Sequence, residues 1–381
     1  MSEKILCITN DFGPRAGGIE TFVIGLIERL PHGSVTVYTS QQGDTNLYDR
    51  GWLDQYGVTV IRDKSKILLP TPRVTRAIKQ LIAKERIEVI FFGAAAPLAV
   101  MARALRKAGA QKIVSLTHGH EVWWAKLWPF KWAIRYIGNN VDHLTYLGDF
   151  TRKEISRSLS ANSAAAMVKI APGIDAAHFS PQSSAAQLRE SLGLTNKKVI
   201  VSVGRLVHRK GQDSLICALP KILQRHSEAH LLLIGTGPYL KHLEDLAEKF
   251  AVQDSITFIG RIQYADLPRY ISAGDVFAMP SRSRLAGLEV EGLGIVYLEA
   301  SACGLPVIAG KSGGAPDAVV EGETGITVDG RDPAEVASAV IYLFDNPIEA
   351  KEMGQRGREW IDTNWRWDIW SSKFRELLKL N

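Results

Sequence analysis

One pattern, used twice, most constrains how this chain can fold: short apolar runs alternating with amphipathic stretches. In the first half the apolar runs fall at residues 5–9, 35–39, 58–61, 89–92, 113–117 and 143–147. The pattern restarts near residue 199, with runs at 199–203, 230–234, 256–259, 276–279, 306–309 and 325–328. Continuous apolar runs of four or five residues bounded by turn signals read as strands covered on both faces. Helical stretches such as 75–85, 215–225, 239–250 and 333–344 supply the cover. The pattern predicts an α/β chain of two doubly wound, parallel-sheet domains, and 381 residues is the right length for two cores. The boundary is expected in the polar, small-residue stretch 180–187 that follows Pro172-Gly173, so the domains run over residues 1–185 and 186–364. The halves share an architecture, not a sequence repeat. Two such domains facing each other leave a ligand cleft between the carboxyl ends of their strands.

Several classes of protein are excluded early. The longest uncharged apolar run, residues 89–102, contains Pro97 and falls short of the roughly 18–20 residues of a membrane-spanning helix. The first residues lack the apolar core of a secretory signal. Three widely spaced cysteines, Cys7, Cys217 and Cys303, make no disulfide framework, and a cytoplasmic setting is expected. The net charge of +6 is unevenly spread. Residues 1–190 hold 24 Lys and Arg against 16 Asp and Glu, and the remainder 22 against 24. The first half therefore suggests an anionic partner, either nucleic acid or an anionic membrane surface. Nucleic acid is disfavoured: no helix-turn-helix, RNA-recognition or zinc signature is present.

The loop Gly13-Pro-Arg-Ala-Gly17-Gly18-Ile19 runs from a strand end to a helix start, where paired glycines let backbone N–H groups approach a phosphate. It lacks G-x-G-x-x-G, which speaks against a nicotinamide dehydrogenase. Gly235-Thr-Gly237 is a second partial match with Leu240 at the third glycine position. Either loop alone reads equally well as a tight turn. The stretch from Ser202 to Gly211 carries more: Arg205 and Lys210 follow a buried strand, five residues apart, and suit a diphosphate. Glu291-Gly292-Leu293-Gly294-Ile295 leads toward Glu299. With Gly294 opening a helix, Glu299 lies inside it and can hold ribose hydroxyls, while Glu291 sits in the loop before it. Thr117-His118-Gly119-His120-Glu121 ends another strand; no third ligand is near, so it serves hydrogen bonding better than a metal.

Two further stretches bear on partners. Residues 62–86 hold eight basic residues against two acidic, including Arg62, Lys64, Lys66, Arg73 and Arg76, around Leu68-Leu69-Pro70. Trp123, Trp124, Trp128 and Trp132 fall close together among Lys126, Lys131 and Arg135. Such a mixture suits a membrane interface. Trp128, Trp132 and Tyr136 also share one helical stripe, which suits a core equally well.

Taken together, these motifs resemble the retaining GT-B glycosyltransferases of family four over nearly the whole chain. The resemblance is carried by Gly17-Gly18, His118, Arg205 with Lys210, Glu291-x7-Glu299, the stretch from Ala302 to Pro306, and Gly313-Gly314. Within that family, Thr9 to Gly18, Leu69 to Pro72, Phe92 to Pro97, Thr117 to Glu121 and Val290 to Glu299 look like an actinobacterial group. Enzymes of that group move mannose from GDP-mannose to phosphatidylinositol monomannoside in an α-1,6 linkage. The resemblance implies two facing Rossmann-like domains with an interdomain cleft, and a last helix at about residues 365–381 packing back on the first domain. It implies that Arg205 and Lys210, with Gly17, Gly18 and the N–H groups of Gly292, Leu293, Gly294 and Ile295, neutralise the departing diphosphate. It gives Glu291 the sugar hydroxyls, Glu299 the ribose, His118 the sugar near the reacting centre, and the backbone of Arg261 and Ile262 the base. No metal or cofactor is required, and the donor substrate is GDP-mannose. The acceptor is an anionic phosphoinositide glycolipid at the inner face of the cell membrane, held peripherally, with no nucleic acid. Asp11, Arg62, Lys64, Lys66, Arg73, Trp124 and Lys126 are the expected acceptor and membrane residues. The alternative is a relative using another nucleotide sugar or acceptor.

Overall fold

A computed structural model describes residues 4–14 and 17–379. Seven parallel strands form the first sheet: β1 (Ile5–Ile8), β2 (Val35–Ser40), β3 (Thr59–Asp63), β4 (Val89–Phe92), β5 (Lys112–Ser115), β6 (His143–Tyr146) and β7 (Val168–Lys169). Their order is β3-β2-β1-β4-β5-β6-β7. Six more form the second: β8 (Lys198–Val203), β9 (Ala229–Ile234), β10 (Ile256–Gly260), β11 (Val276–Met279), β12 (Val307–Gly310) and β13 (Gly325–Val328), in the order β10-β9-β8-β11-β12-β13. These are the two Rossmann-like sheets the apolar runs predict. Both faces are covered, so β1, β4, β11 and β12 are buried at every residue.

Each sheet reverses its winding once, between β1 and β4 and between β8 and β11. At such a switch the loops leaving the two central strands turn apart and open a crevice. In the first sheet this brings Thr9 beside Gly93, where a Cβ on the glycine would meet the threonine side chain. In the second it brings the loop after Val203 beside the one after Met279.

Some details were not visible in the apolar pattern. Strand β7 has only two residues, too few to show a period. The helix Pro72–Glu85 starts three residues before the expected stretch 75–85, because Thr71 caps it by accepting the Val74 N–H at 3.3 Å and Pro72 fits the first turn. No helix among the described residues is long and apolar enough to cross a membrane.

One compact unit runs to Gly173 and takes in the helix Trp367–Leu378; the other spans Ile174–Arg366. The chain thus enters the second unit earlier than the expected boundary at 185/186. The reason lies in the polar stretch itself. The Ile174 N–H bonds the Trp365 carbonyl at 2.6 Å, Gln182 N–H bonds Ser272 Oγ at 3.2 Å, and Arg189 from the helix Ala185–Ser191 pairs with Asp275 at 3.1 Å. These bonds fasten a sequence that looks like a linker onto the second core.

The final helix packs on the first sheet through Phe374, edge-on to Phe91 at 5.2 Å, and Trp367, which lies 6.3 Å from Phe22 and 4.5 Å beneath Arg29. Gly25 and Gly173 make room for Trp367: a Cβ on either would strike the indole or its backbone. Gly25→Val is therefore expected to destabilise the first unit by about 1–3 kcal/mol, the usual cost of overpacking. An unchanged urea midpoint would contradict that account.

Candidate active site

The carboxyl edge of the second sheet gathers most of the polar residues singled out in the sequence. After β8 the chain passes through Gly204 and Arg205 to a turn, His208–Lys210, and then to the helix Gln212–Arg225. The loop is held backbone to backbone: Gly204 N–H bonds Ile234 O at 2.9 Å and Leu206 N–H bonds Thr236 O at 3.0 Å. A Cβ on Gly235 or Gly237 would collide with the carbonyls of Gly204 and Leu206. The Gly235-Thr-Gly237 segment is thus the tight turn of its two possible readings, pressed against the cationic loop. Gly211, at φ +76°, faces the Pro280 carbonyl so closely that no side chain fits.

Arg205 is exposed, and its guanidinium makes no hydrogen bond or ion pair among the described residues. Lys210 is buried, with Nζ 2.7 Å from Glu291 Oε2. Arg209, which the sequence reading passed over, places Nη1 2.8 Å from the same oxygen. Only its place beside Lys210 could have signalled it. Burial alone would raise the Glu291 pKa, but Lys210 and Arg209 overcome it and hold the carboxyl below its usual range. Glu291 is therefore an anion in a nearly dry site.

The loop carrying Glu291 is shaped by glycines from the turn after β12. A Cβ on Gly313 would strike the Glu291 carbonyl, Gly314 N–H bonds that carbonyl at 2.8 Å, and Ser312 Oγ accepts the Glu291 N–H at 3.3 Å. Gly294, at φ +78°, then opens the helix Ile295–Ala302 as expected. The N–H groups of Gly292, Leu293, Gly294 and Ile295 make no hydrogen bond among the described residues. Tyr297 pins this helix, donating its hydroxyl to Met279 O at 2.7 Å beside Ser281 Oγ at 2.9 Å.

Glu299 lies one turn inside the same helix and is buried, yet its carboxyl has no hydrogen-bond partner among the described residues. Burial pushes its pKa up to about 7 against the opposing pull of Lys210. Two buried carboxylates thus sit in opposite states, one doubly paired and one unpaired. Arg261, exposed, and Ile262, half-buried, follow β10, and their backbone groups are free among the described residues.

The first sheet's edge holds His118, 3% exposed at the end of β5. Its ring Nε2 lies 2.7 Å from Gly93 O, so the Nε2 proton is donated there and Nδ1 keeps its lone pair. Burial pushes its pKa down, which keeps it neutral. Glu121 accepts the His118 backbone N–H at 2.7 Å and lies 3.1 Å from His120 Nε2. The His-x-His-Glu segment is a local hydrogen-bonded knot, and among the described residues no group of three His, Cys, Asp or Glu could hold a metal. Gly17 caps the helix Gly18–Ile27, with the Glu20 carboxylate folded over it, and Gly18 faces open space. Arg15 and Ala16 of this loop lie outside the described residues.

The basic and aromatic residues divide sharply. Arg62 is nearly buried, bound to Asp49 through two 2.7 Å bonds, to Gly13 O at 2.9 Å and to Ser40 O at 3.2 Å. Arg73 clasps Asp63 at 2.7 and 2.9 Å and Ser65 at 2.7 Å, holding the Asp63 carboxyl well below the carboxylate range. Lys126 pairs with Glu154 at 3.2 Å, Trp124 is half-buried 4.9 Å from Phe130, and the Asp11 backbone bonds Thr9 Oγ1 at 2.8 Å. Arg62 and Arg73 both fasten the first unit's own loops, Arg62 with its side chain nearly buried and Arg73 with its side chain about half exposed. Lys64 and Lys66, by contrast, are exposed without partners among the described residues, beside exposed Ile67 and Leu69. Leu68, between them, is wholly buried. Trp128, at 75% exposed, Trp132, at 63%, and Tyr136 point to solvent, so their stripe is not core.

Residues 184–360 match the family of glycosyl transferases group 1, and residues 16–178 match Glycosyltransferase Family 4. The GDP-mannose-dependent alpha-(1-6)-phosphatidylinositol monomannoside mannosyltransferase of Mycolicibacterium smegmatis is 43% identical over 98% of each chain. A monoacylated-substrate counterpart from Corynebacterium glutamicum is 39% identical over 99% of this chain and 98% of its own. Among solved structures, the Anabaena protein HepE in complex with UDP superposes with a TM-score of 0.82 at 19% identity, over 98% of this chain and 99% of its own. Sucrose-phosphate synthase from Thermosynechococcus elongatus gives 0.78 at 22%, over 98% of each. The fold is GT-B, and the chain belongs to the family-four glycosyltransferases.

The Glu299 carboxyl gives a stability signature with a definite sign. Its folded pKa of about 7 lies above the ordinary value of 4.5, so the folded chain holds the proton more tightly than the unfolded one. Its contribution is present below about pH 4.5 and is lost as pH rises through about 7. Glu299→Gln should remove that loss, raising the second unit's Tm above wild type at pH 8 and far less at pH 4. Parallel Tm curves for the two proteins would contradict the assignment.

Proposed function

We propose that the chain transfers mannose from GDP-mannose to the 6-hydroxyl of a phosphatidylinositol monomannoside, with retention of configuration, in glycolipid synthesis. The observation that carries this reading is the second unit's array of an unpaired Arg205, a buried Lys210–Glu291 pair and a buried, unpaired Glu299. Arg205 and Lys210 neutralise the diphosphate as charge builds on it. The open N–H groups of Gly292 to Ile295 add donors to the same charge. Glu291 accepts sugar hydroxyls, Glu299 accepts those of the ribose, and Arg261 and Ile262 meet the base with their backbone. His118, kept neutral by burial and oriented by Gly93, contacts the sugar. The full-length relatives named for GDP-mannose and phosphatidylinositol monomannoside support the choice of donor and acceptor.

In the reaction the acceptor hydroxyl oxygen bonds to the mannose anomeric carbon on the face from which the diphosphate departs. The bond from that carbon to the β-phosphate oxygen breaks, and a diphosphate oxygen takes the hydroxyl proton. No protein nucleophile is required. The protein's part is charge neutralisation, and a preorganised donor of this kind contributes about 3–4 kcal/mol. Arg205→Ala should accordingly lower kcat by roughly 100-fold or more while the fold survives. Incubating the enzyme with GDP-mannose, UDP-glucose and the lipid should give only the dimannosylated product by mass spectrometry. Turnover from UDP-glucose alone would overturn the donor assignment, and near-normal turnover of Arg205→Ala the diphosphate site.

The first unit, on this reading, lies on the inner face of the membrane through Lys64 and Lys66 and the outward Trp128, Trp132 and Tyr136. Indole rings favour the headgroup layer, and exposed lysines are attracted to anionic lipid. Each lysine near such a surface is worth about 1 kcal/mol, so Lys64→Ala with Lys66→Ala should weaken partitioning onto phosphatidylinositol vesicles by roughly 30-fold. Trp128→Ser with Trp132→Ser should weaken it on neutral vesicles as well. Unchanged sedimentation of both double variants would return these residues to an ordinary solvated surface.

A further inference from the structure

We propose that Arg209 is a positioning residue for the reaction, holding Glu291 in place while Lys210 turns to the donor's diphosphate. The inference rests on the function proposed above and concerns a side chain which that function leaves unused.

Arg209 Nη1 and Lys210 Nζ both lie on Glu291 Oε2, at 2.8 and 2.7 Å. Without a ligand, one cation would suffice to pair one carboxylate, and a buried pair is costly to assemble. The second cation has a use once an anion enters. A diphosphate beside Lys210 competes for its ammonium, and the lysine's hold on Glu291 weakens. Glu291 is only 8% exposed, so a carboxylate left alone there would take up a proton and lose its strength as an acceptor for sugar hydroxyls. Arg209 prevents this because a guanidinium stays charged at any working pH.

The geometry favours that division of labour. Arg209 belongs to the turn His208–Lys210, and its carbonyl accepts the Arg282 N–H at 2.8 Å. Its Nε lies 3.7 Å from Glu289 Oε1, which steers the fork toward the Glu289–Glu291 segment. The other groups facing Glu291 cannot replace it. Tyr297, from the helix Ile295–Ala302, donates its hydroxyl to Met279 and is pushed far above the range in which it ionises. Ser312 accepts the Glu291 backbone N–H, and Glu289 has the wrong sign. Lys210 also acts on Glu299, which divides its influence further.

The test is steady-state kinetics of the full chain with GDP-mannose and lipid acceptor from about pH 3.5 to 8.5, on wild type, Arg209→Gln and Arg209→Lys. Wild-type turnover is the control on the parent reading: none with GDP-mannose sinks that reading and this inference with it. Given turnover, Arg209→Gln should lower kcat roughly 10-fold with little change in the KM for GDP-mannose. Its acid limb should move up by about one pH unit, as Glu291 loses a cationic neighbour. Arg209→Lys keeps the charge and should restore the limb. Arg209→Met, which keeps the stem without the charge, replaces Arg209→Gln if the latter does not fold. An unmoved acid limb in the uncharged variant overturns the inference, as does a raised KM with kcat intact, which would make Arg209 a plain donor contact.

Discussion

The second unit is organised around one buried anion held by two cations. Glu291 cannot be ionised at 8% exposure without partners, and Lys210 and Arg209 supply them from a turn of three residues. Several backbone features follow from that need. Gly211 must be bare so that the turn can lie against Pro280, and Gly313 and Gly314 must be bare so that their loop can back the carbonyls of Glu291 and Gly292. The winding reversal between β8 and β11 brings the two loops together in the first place. Remove the ion pair and these close backbone approaches have nothing to align.

The contrast with Glu299 gives the site its chemical direction. Both carboxylates are buried, but the helix that carries Glu299 offers it no partner, and burial raises its pKa to about 7. A group left in that state in a folded protein marks a place where something else completes the hydrogen bonding. Arg205 is the complementary case, a cation at the sheet edge with no anion among the described residues. On the proposed reading, Glu299 accepts hydroxyls and Arg205 meets negative charge, and a nucleoside diphosphate offers both together. His118 on the first unit is prepared differently: its proton is committed to Gly93 and its charge suppressed.

The legible parts of the chain were those with a period or a constrained spacing. Apolar runs located twelve of the thirteen strands, because buried parallel strands leave a continuous signature; β7 has too few residues to leave one. Gly294 and Glu299 could be placed on a helix because a left-handed cap and an interior position follow from the spacing. Partners were less legible than positions. Arg62 and Arg73 look in sequence like Lys64 and Lys66, yet Asp49 and Asp63 claim the first two from 13 and 10 residues away. The tryptophan stripe could face core or solvent, and only packing decides which. Arg209 stood beside a recognised lysine, but nothing local shows that it reaches 82 residues along the chain to Glu291.

The central claim is that the second unit holds a nucleoside diphosphate sugar with Glu299 taking the ribose in its ionised form. Calorimetry of GDP-mannose binding at pH 7 in buffers of different ionisation enthalpy tests it most directly, since this donor's diphosphate has no proton to lose near neutrality. A free carboxyl with a pKa of about 7 is half protonated there, so binding should release about half a proton, and Glu299→Gln should release none. Tight binding with no proton released by wild type would contradict the account.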